Sequence, residues 1–180
     1  MCFSVNTSYK NEMEINKLSS NYHVRLLDYN DVNVIYNLCC GNELFYQYHP
    51  PFVTKESIMD DMQALPPGKT ENDKYYVGYF KGNKLAAVLD LILGYPNEKT
   101  AYFGFFMVDK VYQGKGIGTQ IISECADHLA KLKFEKIRLA IDRGNPQSEA
   151  FWTKNGLKKT EEMVKNQESA YIPMERQLFE

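Results

Sequence analysis

The segment Gln113-Gly114-Lys115-Gly116-Ile117-Gly118-Thr119 carries the most informative spacing in this chain. Glycine recurs at alternate positions, just after an apolar stretch ending at Val108 and just before a long amphipathic one. A strand that enters such a turn and leaves as a helix aims several unpaired backbone N–H groups at one point, which the helix dipole makes favourable for an anion. Glycine lets phosphate oxygens come close to the backbone, and Lys115 adds a mobile positive charge. A plain strand–helix connection rarely needs alternating glycines, so the spacing points to anion binding. Two phosphate motifs are excluded. In a Walker A loop a hydroxyl residue follows the lysine, whereas Gly116 follows Lys115 and Asp109 stands where the first glycine belongs. The dinucleotide fingerprint needs glycine at Thr119 and normally follows the first strand of a βαβ unit.

Asp90 is the next candidate, alone in the apolar run Lys84–Leu93. A carboxylate there is costly unless paired or useful. It is either a general base or ammonium anchor for a substrate, or a structural hydrogen-bonding group. The aromatic stretch Glu43–Val53 offers Tyr48 and His49 as substrate contacts, with Phe45 and Phe52 assigned to a satellite core. The other histidines read as structural (His23, in the first strand) and surface (His128, in the long helix). Acids near this stretch are scattered: Glu43, Asp60 and Asp61. Cys2, Cys39, Cys40 and Cys125 show no C-x-x-C spacing, so neither a metal site nor a redox pair is expected, and all four read as reduced thiols in the cytoplasm.

The elements that must position these groups follow from pattern. With 180 residues, 44% hydrophobic and 24% charged, the chain suits one domain, here residues 22–180 after a loosely attached polar lead-in over 1–21. Its net charge of -2 offers no broad field for nucleic acid or an anionic membrane, so any anion is held locally. The lead-in lacks the apolar centre of a signal peptide, and Asp90 interrupts the longest apolar run, Leu85–Leu93. Tyr22–Leu27 alternates as a strand. Helices are expected after Asp31, ending at Gly41, and over Lys55–Leu65, ended by Pro66–Pro67–Gly68; Lys69–Lys74 reads as a loop. Tyr75–Phe80, Lys84–Gly94 and Thr100–Val108 read as an antiparallel meander. Gly116–Lys133 then shows a 3.6-residue apolar stripe, Lys136–Ile141 a short strand and Asn145–Asn155 a helix with Pro146 in its first turn. Strands near Leu157–Lys165 and Ala170–Leu178 close a mixed α/β domain.

Gln113, Gly116 and Gly118 match the Q/R-x-x-G-x-G/A signature of the GCN5-related N-acetyltransferase (GNAT) family, which this segment resembles. Asn145, Ala150, Trp152 and Asn155-Gly156-Leu157 resemble that family's second-helix pattern, in the right order and at the usual separation. The resemblance is tight over 100–157 and loose over the rest of 22–178.

It implies the GNAT fold, a central mostly antiparallel sheet with a splayed parallel pair and flanking helices. It also implies acetyl-CoA as co-substrate, held by Phe106, Met107, Val108, Gln113, Gly114, Lys115, Gly116, Ile117, Gly118, Thr119, Asn145 and Trp152, with no metal. A main-chain N–H on the strand ending at Val108 would polarise the thioester, and a primary amine would attack it directly. Trp152 departs from the tyrosine that many relatives place there; an indole donates a hydrogen bond but is no practical acid, and packing against CoA is the preferred reading. The acceptor is expected to be a small-molecule amine and the protein a monomer or homodimer. The alternatives are a non-catalytic acyl-CoA-binding module, acetylation of a protein amine, and a nucleotide-phosphate binder reusing the turn.

Overall fold

The computed structural model describes residues 13–160 and 170–179. A seven-stranded sheet is ordered β1-β2-β3-β4-β5-β7-β6. Its strands are β1 (His23–Leu26), β2 (Lys74–Lys81), β3 (Lys84–Leu93), β4 (Thr100–Val108), β5 (Lys136–Asp142), β6 (Lys158–Lys159) and β7 (Tyr171–Gln177). Every neighbouring pair is antiparallel except β4 and β5. Helices α1 (Val32–Cys40), α2 (Glu43–Tyr48) and α3 (Lys55–Gln63) precede β2; α4 (Ile117–Lys131) links β4 to β5, and α5 (Pro146–Lys154) follows β5. No helix among the described residues is long and apolar enough to cross a membrane.

Side chains alternate between the faces of a strand, and the two faces here serve two cores. Val77, Tyr79, Ala87, Leu89 and Leu91 pack with Ile121, Ile122, Cys125 and Leu129 of α4. Tyr76, Val88 and Met107 pack on the opposite face with Ile35 and Leu38 of α1 and Ile58 of α3. By the same alternation Asp90 shares a face with Val88, toward α3.

The alternation breaks once in β4. Phe103 belongs to the α4 core, yet Phe105, two residues on, packs with the α1–α3 cluster. The register explains this: Asp90 pairs with Phe105 and Leu91 with Phe103, so Gly104 is the extra residue of a bulge. One inserted residue exchanges the faces of everything beyond it.

Several expectations need correction. The lead-in is not loose over 13–21: Leu18 is fully buried, and Ser19, Ser20 and Asn21 donate to the Glu124 carboxylate on α4. His128 is buried rather than at the surface, and His23 lies exposed on the edge strand. Lys74 is the first residue of β2 rather than the end of a loop. The stretch after Gly41 contains a helix, α2. Thr54 and Ser57, a weak start signal by composition, form a reciprocal capping box on α3. The strand expected over Leu157–Lys165 is described only at Lys158–Lys159, and 161–169 lie outside the described residues.

Candidate active site

β4 and β5 pair in parallel only from Thr100↔Lys136 to Phe103↔Leu139, although β4 runs on to Val108 and β5 to Asp142. The bulge at Gly104 sits where the pairing stops. Beyond it the strands splay, and β4 presents backbone with no strand partner on the β5 side. A cleft of about 820 Å³ follows this edge, with the α4 turn at one end and Asp90, Tyr95 and Tyr102 at the other.

The glycine turn opens onto the cleft, and Gln113, Gly114, Gly116, Ile117, Gly118 and Thr119 line it. Its glycines answer to two different demands. Gly114 and Gly116 have φ of 72° and 78°, a left-handed backbone that side chains disfavour. Gly118 is instead a contact glycine: a Cβ there would lie 3.0 Å from the Phe151 ring and 3.3 Å from Val108. Gly116 is also the N-cap of α4 and has no side chain to cap it; the first helical bond closes only at Gln120 N–H to Gly116 C=O. The N–H groups of the first turn therefore have no intrahelical acceptor. Gln113 turns back, its Nε2 donating to Val108 C=O at 2.8 Å and to Asn42 Oδ1. Asn42 Nδ2 also donates to Val108 C=O, at 3.3 Å. These two side chains fix the end of β4 against the turn. Lys115 does not line the cleft; its Nζ donates to Val111 C=O at 2.8 Å on the surface.

At the other end Asp90 is buried and paired with Lys74, Nζ to Oδ2 at 2.8 Å. Lys74 also donates to Asp61 C=O at 2.8 Å and Ala64 C=O at 2.9 Å, so its ammonium caps the C-terminus of α3, where the helix dipole favours a cation. The Oδ1 atom of Asp90 is buried with no hydrogen-bond partner among the described residues. Burial pushes the Asp90 carboxyl up to about 6, against the pull of Lys74. Asp61, also on the cleft wall, is raised by burial too, with Lys74 and His49 opposing.

The helical form of α2 decides which of its residues reach the cleft. Phe45 and His49 lie four apart, on one helical face, and both line it; their rings are 5.2 Å apart. Tyr48 falls on another face and is not part of the wall, so its expected contact with substrate is not supported. Phe45 meets Phe105 of β4 edge-on at 6.1 Å, and Phe52 is 45% exposed rather than in a core. His49 Nδ1 lies 2.9 Å from Asp142 Oδ1 at the end of β5, a contact that spans the open mouth of the splay.

Phe106, Met107 and Val108 run along the cleft. Trp152 is 8% exposed and packs against Phe103, Phe106 and Phe151 with ring centroids 4.9–6.2 Å away, forming an aromatic floor. Asn145 is the N-cap of α5, accepting from Ser148 N–H at 3.0 Å, and does not line the cleft. The sequence reading missed Lys74, Asp142, Asn42 and Gly104. Only Gly104 left a local trace, as a glycine inside an apolar strand.

A mixed sheet with one splayed parallel pair, helices on both faces and an uncapped glycine turn at the mouth of the splay defines an acyl-CoA transferase type of α/β fold. Residues 41–157 match the Acetyltransferase (GNAT) family, and the chain belongs to that family. No curated protein matches it. Among solved structures, an acetyltransferase from Thermus thermophilus superposes with a TM-score of 0.71 at 19% identity, covering 86% of this chain and 95% of that one. The PaiA N-acetyltransferase of Thermoplasma acidophilum, in complex with coenzyme A, gives 0.64 at 17% identity over 86% and 97%. A spermidine N-acetyltransferase SpeG chimera from Vibrio cholerae and hSSAT gives 0.64 at 20% over 88% and 96%. At these identities the likeness is one of fold.

Proposed function

We propose that this protein transfers the acetyl group of acetyl-CoA to the primary amine of a small molecule, both substrates being bound together in the cleft. The observation that carries the proposal is the uncapped turn Gly114–Gly118, opening where β4 parts from β5. The N–H groups of that turn are suited to the CoA pyrophosphate, and the PaiA N-acetyltransferase, which shares this fold, forms a complex with coenzyme A. Gln113 serves by holding Val108 and the turn together. The β4 edge beside Phe106 and Met107, which has no strand partner, suits the amide groups of the pantetheine arm, and the floor of Phe106, Phe151 and Trp152 suits its apolar portions. Asn145 acts by starting α5 correctly and Trp152 by packing. Of the two roles weighed for Asp90, the ion pair with Lys74 supports the structural one.

The acceptor end is lined by Asp61, Asp90 and Asp142 together with Phe45, Tyr95 and Tyr102. Carboxylates attract an ammonium, and aromatic faces suit both cations and apolar bodies. An alkyl ammonium must lose a proton before it attacks the thioester. Backbone N–H groups along β4 are suited to stabilise the oxyanion that forms. Thiol release from acetyl-CoA, measured against a panel of spermidine, tyramine, lysine and an aminoglycoside, tests the reading. Amine-dependent release is expected. Coenzyme A binding without turnover on any amine would instead indicate a binding module.

A further inference from the structure

We infer that His49, held by Asp142, is the general base that accepts the proton of the acceptor ammonium. The inference rests on the acetyltransferase reading above and adds the group that reading lacks. A base is identified first by access to the proton and then by basicity. Burial makes Asp90 basic enough, but Lys74 occupies its Oδ2 at 2.8 Å and its Oδ1 is buried. His49 has the access that Asp90 lacks. Its side chain is 45% exposed on the cleft wall, and its Nδ1 lies 2.9 Å from a carboxylate that is only 12% exposed.

The pairing fixes the tautomer. A carboxylate only accepts hydrogen bonds, so Nδ1 carries the proton and Nε2 is left as the basic nitrogen. The ring is further oriented by Phe45 at 5.2 Å, which itself rests on Phe105 beside the β4 bulge. The imidazole thus stands next to the place where β4 and β5 separate. The titratable groups around it are Asp142 of β5, Asp61 of α3, and Tyr46 of α2, Cys39 of α1 and Tyr76 of β2, which line a small pocket with it. Lys154 of α5 also lines the cleft. The ammonium of Lys74 is already committed to Asp90 and two α3 carbonyls. Asp142 and Asp61 stabilise the imidazolium that proton transfer creates.

The step balances without a further reactant. The substrate ammonium gives one proton to His49 Nε2, and the freed nitrogen lone pair forms a bond to the thioester carbonyl carbon. As the tetrahedral intermediate collapses, the C–S bond breaks and its electron pair leaves on sulfur. A second nitrogen proton reaches that thiolate, and His49 returns its own proton to water. The products are an N-acetyl amine, coenzyme A thiol and one proton. Asp142 acts here as a positioning residue.

The test uses the full chain with acetyl-CoA and the amine from the panel that turns over fastest. His49→Ala is expected to lower kcat about 100-fold with the acetyl-CoA KM unchanged. The acidic limb of its kcat/KM profile is expected to vanish, and added imidazole to restore rate in proportion to its unprotonated fraction. Asp142→Asn is expected to lower kcat about 10-fold or more, as loss of the orienting carboxylate permits the wrong tautomer. Coenzyme A affinity and thermal midpoint, measured alongside, separate these effects from misfolding. If His49→Ala keeps kcat within threefold and an unaltered pH profile, or gains nothing from imidazole, His49 is not the base. Absence of turnover in the unsubstituted protein would overturn the acetyltransferase reading, and this inference with it.

Discussion

The Asp90 carboxylate lies against the backbone of Gly104, so closely that a Cβ on Gly104 would stand 2.5 Å from Oδ2 and 3.1 Å from Cγ. The bulge that splays the cleft and the buried acid at its acceptor end therefore form one arrangement. Gly104 is required because Asp90 takes the space a side chain would fill, and Asp90 is held there by Lys74.

Gly104→Ala is accordingly expected to destabilise the protein by about 1–3 kcal/mol, the usual cost of overpacking. Chemical denaturation measures it. In an Asp90→Ala background the contact is gone, and the same substitution is expected to cost less than about 0.5 kcal/mol, the size of an ordinary non-interacting change. An equal cost in both backgrounds would show that the bulge, not the carboxylate, excludes the methyl group.

Lys74→Met strands a buried carboxylate and removes the cap of α3, with an expected loss of about 3–5 kcal/mol. Lys74→Met with Asp90→Leu is expected to cost less than the single Lys74→Met change, since no uncompensated charge remains. Denaturation of the single and double variants completes the cycle. Additive losses would show that the pair does not couple.

The pH dependence of stability carries the signature of Asp90. Burial raises its carboxyl from 3.8 to about 6, with Lys74 opposing. Between those values the folded protein binds a proton that the unfolded chain releases, so this group's contribution is present below about pH 4 and lost as pH rises through 6. The stability of the protein relative to Asp90→Asn is expected to fall by roughly 2–3 kcal/mol between pH 4 and 7. Urea midpoints at four or five pH values read the slope, and a flat difference would contradict the shift.

Locally encoded features were legible in the sequence. The turn Gly114–Gly118, the apolar stripe of α4 and the Asn145–Pro146 start of α5 depend on neighbours within a few residues, and the structure places all of them as expected. Asp90 stood out because a lone carboxylate in an apolar strand has no local explanation. Its counterion did not, because Lys74 lies in a polar stretch and meets Asp90 only through the register of β2 on β3. Helix α2 was hidden because its six residues, half of them aromatic, are too few to show a helical period, and with it the reason why Phe45 and His49 face the cleft while Tyr48 does not. The His49–Asp142 contact joins residues 93 apart and leaves no trace in either neighbourhood. The two roles of glycine, φ at Gly114 and Gly116 and close packing at Gly118, become separable only once the backbone is known.

Isothermal titration of coenzyme A into the protein and into Gly116→Glu tests the central assignment, that the amides opening α4 hold the cofactor's pyrophosphate. A glutamate there would place a negative charge at the anion site and strain a backbone with φ of 78°. Affinity is expected to fall at least about 100-fold, the effect of roughly 2.7 kcal/mol, with the cooperative thermal transition retained. Undiminished affinity in a folded Gly116→Glu protein would contradict the account.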